Sequence, residues 1–397
     1  MNSLRRNSLH LLLARVTAQG LAILFIAIIA RRLEIASFGQ FTVIGALVLI
    51  GNTFTNFGTD TYLIREIARE GKVASLIHRT LALQLLLSAL WVLITLIIAP
   101  GSPILLYSFS LFPLAIFSVI TATLRAFERM DLVWTLSLLN GFIQIIAGVL
   151  SSDIWTLCLF LLIGQIITSA LSYWICFASI PNFSLLPLDD PRPLLKLTLP
   201  FAALTFLLVL SQRLGVLTVS TLLGDSPTGI FSSVVRIVDG LKLGHYAILG
   251  ALLPVISRGT QESKQSFRKG FILLTGLSLL MAIGLSLFPR FVILVLYGDR
   301  FFSAINLLSL LGWSLIPYTI SSFISYDLVA RGREVTLVKA TAISLVIFLV
   351  LYLGLIPIFD LQGAIYAALV GEIMQAVLFV IIQKRMCCAM LRTYKDN

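Results

Sequence analysis

The chain has 397 residues, 58% of them hydrophobic and only 12% charged, with a mean hydropathy of +1.01. Soluble domains are nearer one quarter charged, so this composition excludes a soluble globular protein and points to an integral membrane protein. The net charge of +11 raises the question of nucleic acid, which the placement of the basic residues answers below.

Taken in chain order, runs of about 18–25 apolar residues predict twelve transmembrane helices. They fall at 9–30, 39–57, 78–99, 104–124, 132–150, 154–176, 200–223, 228–256, 270–288, 302–326, 335–356 and 363–382. Outer-membrane strands would alternate apolar and polar residues over about ten positions, and these runs do not. The first run follows Arg5–Arg6 like a signal peptide, but Arg15 interrupts it and no small-residue cleavage site ends it. It therefore reads as an uncleaved first helix. The longest connections are 57–77 and 177–199, and 58–79 reads as an interfacial amphipathic helix. The expected organisation is a six-helix lobe at 1–180, a cytoplasmic linker at 181–199, and a second six-helix lobe at 200–397 with a short cytoplasmic tail.

Lysine and arginine orient the chain. With the N-terminus in the cytoplasm, inward-facing segments hold 21 of the 29 basic residues, and outward loops hold four, Arg31, Arg32, Arg290 and Arg300. The remaining four, Arg15, Arg213, Arg236 and Lys242, fall inside predicted spans. Both termini are expected in the cytoplasm. The positive charge is a topology signal, and nothing in it calls for nucleic acid.

Two stretches repeat. RLEIASFGQF (32–41) resembles LLGDSPTGIF (222–231), aligning Leu33, Gly39 and Phe41 with Leu223, Gly229 and Phe231. LRAFERMDLV (124–133) resembles LVARGREVTL (328–337), aligning Leu124, Ala126 and Arg129 with Leu328, Ala330 and Arg333. An even number of spans per half gives both halves the same orientation, as in transporters that bind substrate near the midplane between two parallel repeats.

The eighth predicted helix carries Arg236, Asp239, Lys242 and His245 at every third position. Residues three apart are helical neighbours, so these four form a slanting polar ladder. Arg213 on the seventh helix and Asp239 are equally far from the intervening turn, so a contact between them is expected. Each charge at a helix centre costs about 2.5–3.5 kcal/mol on insertion scales, so four cost roughly 10–14 kcal/mol before pairing. Such groups face a watery cavity or one another. One reading is an anion site in which Arg213, Arg236 and Lys242 bind pyrophosphate and Asp239 orients them. The other is a self-satisfied ion network holding helices together, or Arg236 snorkelling outward. Arg15 and Gln19 lie one turn apart on the first helix, either as cavity groups or with Arg15 snorkelling to the interface. Asn140 and Gln144 share a face of the fifth helix, as interhelical glue or as cavity polar groups. Glu372, mid-span in the twelfth helix, either carries a coupling ion or pairs with a buried base.

No catalytic or metal motif appears. The three histidines are scattered, there is no GxxxxGK[ST], and the cysteines Cys158, Cys176, Cys387 and Cys388 have neither disulfide nor metal spacing. No enzymatic role, cofactor or metal is expected.

RRLEIASFGQF, FGTDTYLIREIARE, LPFAALTFLLVLSQRLGVLTVSTLLGDSPTGIFSSVVRI, LYGDRFFSAINLLSLLGWSLIPYTISSFISYDLVARGRE and IPIFDLQGAIYAALVGE, in that order, resemble the polysaccharide-biosynthesis flippases of the multidrug/oligosaccharidyl-lipid/polysaccharide exporter superfamily. The resemblance implies an inner-membrane flippase that moves a polyprenyl-pyrophosphate-linked oligosaccharide outward by alternating access. It also implies coupling to H+, Na+ or the membrane potential, and work beside glycan polymerases and glycosyltransferases. A cation-coupled drug antiporter of the same superfamily, a membrane glycan ligase or polymerase, and a non-transporting scaffold are the alternatives.

Overall fold

A computed structural model describes residues 2–70, 73–180, 185–256 and 261–395. Among them the secondary structure is entirely helical. The first eight helices are α1 (Asn2–Arg32), α2 (Ile35–Asn56), α3 (Thr59–Glu70), α4 (Val73–Ile98), α5 (Pro103–Ser108), α6 (Leu111–Ala126), α7 (Met130–Leu150) and α8 (Ile154–Ser179). Next come α9 (Arg192–Leu223), α10 (Asp225–Ile256), α11 (Gln261–Leu287), α12 (Pro289–Leu296), α13 (Ala304–Leu311), α14 (Leu315–Ala330) and α15 (Glu334–Lys395). The chain divides into two compact units, Met1–Leu210 and Ser211–Asn397; the division falls within α9.

Among the described residues, nine helical segments are long and apolar enough to cross a membrane, counting Pro103–Ala126, Ala304–Ala330 and Glu334–Arg385 as one each. The last holds two crossings, because α15 is broken at Asp360 (φ 50°, ψ −132°), three residues after Pro357. Proline removes a backbone donor and clashes with the preceding turn, so the 52-residue apolar run becomes two arms of about 25 residues each, near the length one crossing needs. Helices α1 and α10, of 31 and 32 residues, supply the remaining two predicted spans. The connection after α2 contains α3, whose Leu63 and Ile67 are buried while Arg65 is exposed.

The repeat is written into the backbone. Helices α6 and α14 are both 16 residues long and lie 204 positions apart at each end. Both end in the same left-handed cap. In the first, Arg129 N–H donates to Leu124 O (2.9 Å) and Glu128 N–H to Arg125 O (3.1 Å), with φ 57° at Glu128. In the second, Arg333 N–H donates to Leu328 O (2.9 Å) and Gly332 N–H to Val329 O (3.0 Å), with φ 67° at Gly332. The matched leucines are the acceptors and the matched arginines the donors.

A second pair of matching contacts exchanges its residues. In the first unit Gly148 of α7 packs on Phe25 of α1, and Phe25 meets Phe41 edge-on at 5.9 Å. The equivalent positions in the second unit are Tyr352, Gly215 and Phe231. There the glycine is on α9 and the ring on α15, and Tyr352 meets Phe231 edge-on at 6.5 Å. Each glycine leaves room for the ring on its partner helix.

Within the first unit α1 and α7 run parallel, with Trp134 Nε1 donating to Thr17 Oγ1 (3.1 Å) near one end and Arg32 Nε to Ser151 O (3.4 Å) at the other. Many large apolar side chains point outward, including Ile97, Ile98, Phe177, Leu280 and Val350, as a lipid-facing surface requires.

Gly363 follows the α15 break, and a Cβ there would run into the Leu355 carbonyl, which is backbone and cannot rotate away. Gly363→Ala should therefore lower stability by about 1–3 kcal/mol. Gly276→Ala, where a Cβ meets nothing within 4 Å, should not. Thermal unfolding in detergent compares the two.

Candidate functional site

The charged ladder on α10 lies within the second unit, and its four side chains take three different courses. Lys242 is the centre. Its Nζ donates to Glu372 Oε1 at 2.7 Å, lies 3.7 Å from Asp239 Oδ1, and sits 4.6 Å from the centroid of the Tyr318 ring. One cation thus meets two carboxylates and an aromatic face. The Lys242 and Glu372 side chains keep only 17% and 13% of their exposure, whereas Asp239 keeps 40%.

One turn further on, His245 is buried. Its Nε2 is 2.8 Å from Ser278 Oγ and 2.9 Å from Thr319 Oγ1, and the two hydroxyls lie 2.7 Å apart. Its ring meets Tyr318 edge-on at 5.6 Å. Tyr318 therefore has Lys242 over one part of its ring and His245 against another, joining the two groups. This arrangement ties α10 to α11 and α14.

Arg236 has Arg213, Tyr297 and Asp239 as its ionisable neighbours. Tyr297 donates its hydroxyl to Ser233 O (3.1 Å). Neither arginine forms an ion pair among the described residues, and the Arg213 Nε is buried without a hydrogen-bond partner. Buried polar atoms are nearly always satisfied, so a buried guanidinium nitrogen with no acceptor is an exception that needs a cause.

The expected Arg213–Asp239 contact is not formed. Asp239 instead lies 3.7 Å from Lys242, one turn away on the same helix. Glu372 joins them from the second arm of α15, 130 positions away in the chain. Of the two roles weighed for Glu372, pairing with a buried base is seen directly.

In the first unit, Gln19, Asn140 and Gln144 are half-buried and make no hydrogen bond among the described residues. Gln19 lies between Thr17, which meets Trp134, and Leu21, which packs on Gly141, so it shares the depth of Asn140. The side chains of Arg15, Cys387 and Cys388 lie outside the described residues. Cys158 and Cys176 are unpaired and buried.

A polar cluster in this unit escaped the sequence reading. Ser118 Oγ donates to Asp60 Oδ1 (2.6 Å), Asn56 Nδ2 donates to Ser118 Oγ (2.9 Å), and Gln84 Nε2 donates to Thr59 Oγ1 (2.7 Å). Burial pushes the Asp60 carboxyl above the usual carboxylate range, against these hydrogen bonds and nearby Arg125. Asp60 opens α3, and as one acid in a stretch rich in charge it gave no signal. Ser278, Thr319, Tyr318 and Tyr352 were missed for a related reason: each is an ordinary residue of an apolar span until its neighbours are known.

The second unit holds the charge, although both units share one plan. At the repeat positions of Arg236, Asp239, Lys242 and Glu372 the first unit has Ala46, Leu49, Asn52 and Thr168. A requirement of the fold would act on both units, so these charges answer to something else. Lys242→Met should destabilise the protein by roughly 2–4 kcal/mol, toward the lower part of the range for a broken buried pair. Glu372→Gln should cost less, because Lys242 keeps Asp239 and Tyr318. The double variant should recover most of the Lys242→Met loss. Denaturant unfolding of the three variants tests this order.

Comparison with protein families matches the polysaccharide biosynthesis protein family over residues 4–260, and comparison with curated proteins yields no match. Among solved structures, the chain is similar to a multidrug resistance MATE family transporter of the MOP superfamily in its inward-facing conformation. The TM-score is 0.78 at 15% identity, covering 96% of this chain and 99% of that one. The outward-facing conformation of a MATE family transporter matches with TM-score 0.69 at 15% identity, covering 98% and 96%. The lipid II flippase MurJ in an inward closed conformation matches with TM-score 0.75 at 14% identity, covering 94% and 87%. The family match covers more than half of the chain: this protein belongs to the polysaccharide biosynthesis protein family, and its fold is similar to that of these transporters.

Proposed function

We propose that this polysaccharide biosynthesis family member is a flippase that moves a polyprenyl-pyrophosphate-linked oligosaccharide across the cytoplasmic membrane by alternating access. The observation that carries this reading is the pair of arginines in the second unit. Arg213 and Arg236 lie near one another, form no ion pair among the described residues, and in Arg213 leave a buried nitrogen unsatisfied; Asp239, the acid near Arg236, already contacts Lys242. Two adjacent cations at membrane depth are costly, and a pyrophosphate supplies the negative charge and acceptor oxygens that would offset them. Lys242, clamped by Glu372 and Asp239, is a second-line ligand rather than a free one. Arg15, Gln19, Asn140 and Gln144 are the groups of the first unit assigned to the same substrate, the amides facing sugar hydroxyls.

The remaining parts of the reading follow from it. The lobes are 1–180 and 200–397, joined by a cytoplasmic linker at 181–199. Both termini lie in the cytoplasm, on the positive-inside count. Coupling to H+ or Na+, or to the membrane potential, is assigned to Glu372. Glycan polymerases and glycosyltransferases are the partners that would use or supply the lipid-linked glycan. A drug antiporter of the same fold is the second reading, favoured by the similarity to MATE transporters. It needs a free carboxylate for a cationic drug, and here both acids of the site already hold Lys242.

Arg213→Gln and Arg236→Gln, made separately in the host, should each reduce glycan export by about ten- to a hundredfold at normal protein levels. This corresponds to losing one charge-assisted hydrogen bond of roughly 1.5–3 kcal/mol. Mass spectrometry should show the polyprenyl-pyrophosphate glycan accumulating in the membrane. Full export by both variants would remove the arginines from the mechanism.

A further inference from the structure

The contact between Lys242 and Glu372 bears on how the substrate is coupled to an ion, and the argument rests on the flippase reading above. We propose that the arriving pyrophosphate takes Lys242 away from Glu372, and that Glu372 then takes up a proton from water, so that each substrate bound loads one proton onto the second unit. The balance is simple: the Lys242–Glu372 ion pair, the pyrophosphate anion and one proton become a Lys242–pyrophosphate ion pair and a neutral Glu372 carboxylic acid.

The geometry points to Glu372 rather than Asp239. Lys242 holds Glu372 at 2.7 Å and Asp239 at 3.7 Å, and the Glu372 side chain keeps 13% of its exposure against 40% for Asp239. When Lys242 swings toward an anion at Arg213 and Arg236, Asp239 remains the less enclosed of the two acids and has Arg236 as a second cationic neighbour. Glu372 loses the one cation it meets among the described residues. The groups facing it are Lys242 and Asp239 of α10 and Tyr352 of α15, with Tyr318 of α14 beneath Lys242. None of them is a second cation. A carboxylate left in that setting is disfavoured in its charged form. Lys242 is also the cation able to switch, because it lies one helical turn from Asp239 and two from Arg236 on one helix, on a flexible stem.

Farnesyl pyrophosphate serves as the probe, titrated into purified full-length protein in detergent. Calorimetry in buffers of different ionisation enthalpy gives the protons exchanged. The wild type should take up about one more proton per ligand than Glu372→Gln, a difference from which the ligand's own titration cancels. Asp239→Asn should retain the wild-type uptake. If Glu372→Gln is poorly folded, the wild type alone gives the test. Once the titration of free farnesyl pyrophosphate is subtracted, its affinity should strengthen about tenfold for each pH unit lowered across the uptake range. Binding with equal proton uptake in wild type and Glu372→Gln, or with no residual pH dependence, overturns the exchange while leaving the flippase reading intact. Failure of the wild type to bind the probe overturns the flippase reading, and this inference with it.

Discussion

The structure depends on how charge is carried through an apolar layer. A lysine and a glutamate meet at 2.7 Å across two helices of the second unit, in a chain otherwise dominated by apolar side chains. Glu372 meets no cation but Lys242 among the described residues, and a buried charge left unpaired is costly. The pair fixes the second arm of α15 against α10. The α15 break at Asp360 places that arm as a separate crossing able to present Glu372 to Lys242.

Around this contact the second unit separates its charges into satisfied and unsatisfied sets. Lys242, Glu372 and Asp239 satisfy one another. His245, Ser278 and Thr319 form a buried group beside them, joined through Tyr318. Arg213 and Arg236 form no ion pair among the described residues. Comparison of the halves sharpens the point, because the first unit shares the same helical plan, down to the same left-handed cap after α6 and α14, and carries Ala46, Leu49, Asn52 and Thr168 where the second unit carries charge. The architecture can therefore be built without these charges. Their cost is not a cost of folding.

Much of this was legible in the sequence. Apolar runs located the nine segments able to cross a membrane among the described residues, because the bilayer sets their length, and one of the two short repeats marked a cap that the structure builds alike. Leu124 and Leu328, with Arg129 and Arg333, stand at matching places in that cap, but they meet there through backbone groups that any residue but proline carries, so the cap locates the repeat without explaining these side chains. The exchange of Phe25 and Gly148 for Gly215 and Tyr352 could not be read in advance. It preserves the packed volume while reversing which helix supplies it, so the aligned residues look unrelated. Partner choice was also hidden. Depth along a helix is readable from residue counting, which is why Arg213 and Asp239 were placed level. Which carboxylate reaches which cation depends on the side chain's azimuth and on residues distant in the chain, and Glu372 lies 130 positions from Lys242.

The central claim is that the arginine pair is retained for the negative charge of a lipid-linked substrate. The most direct measurement uses proteoliposomes containing the purified protein and two substrates with the same prenyl chain and sugar, one joined through pyrophosphate and one through a neutral linkage, and follows how fast each crosses the bilayer. The account predicts protein-dependent movement of the pyrophosphate-linked glycan alone. Equal movement of both would mean that the substrate's charge is not what Arg213 and Arg236 are for.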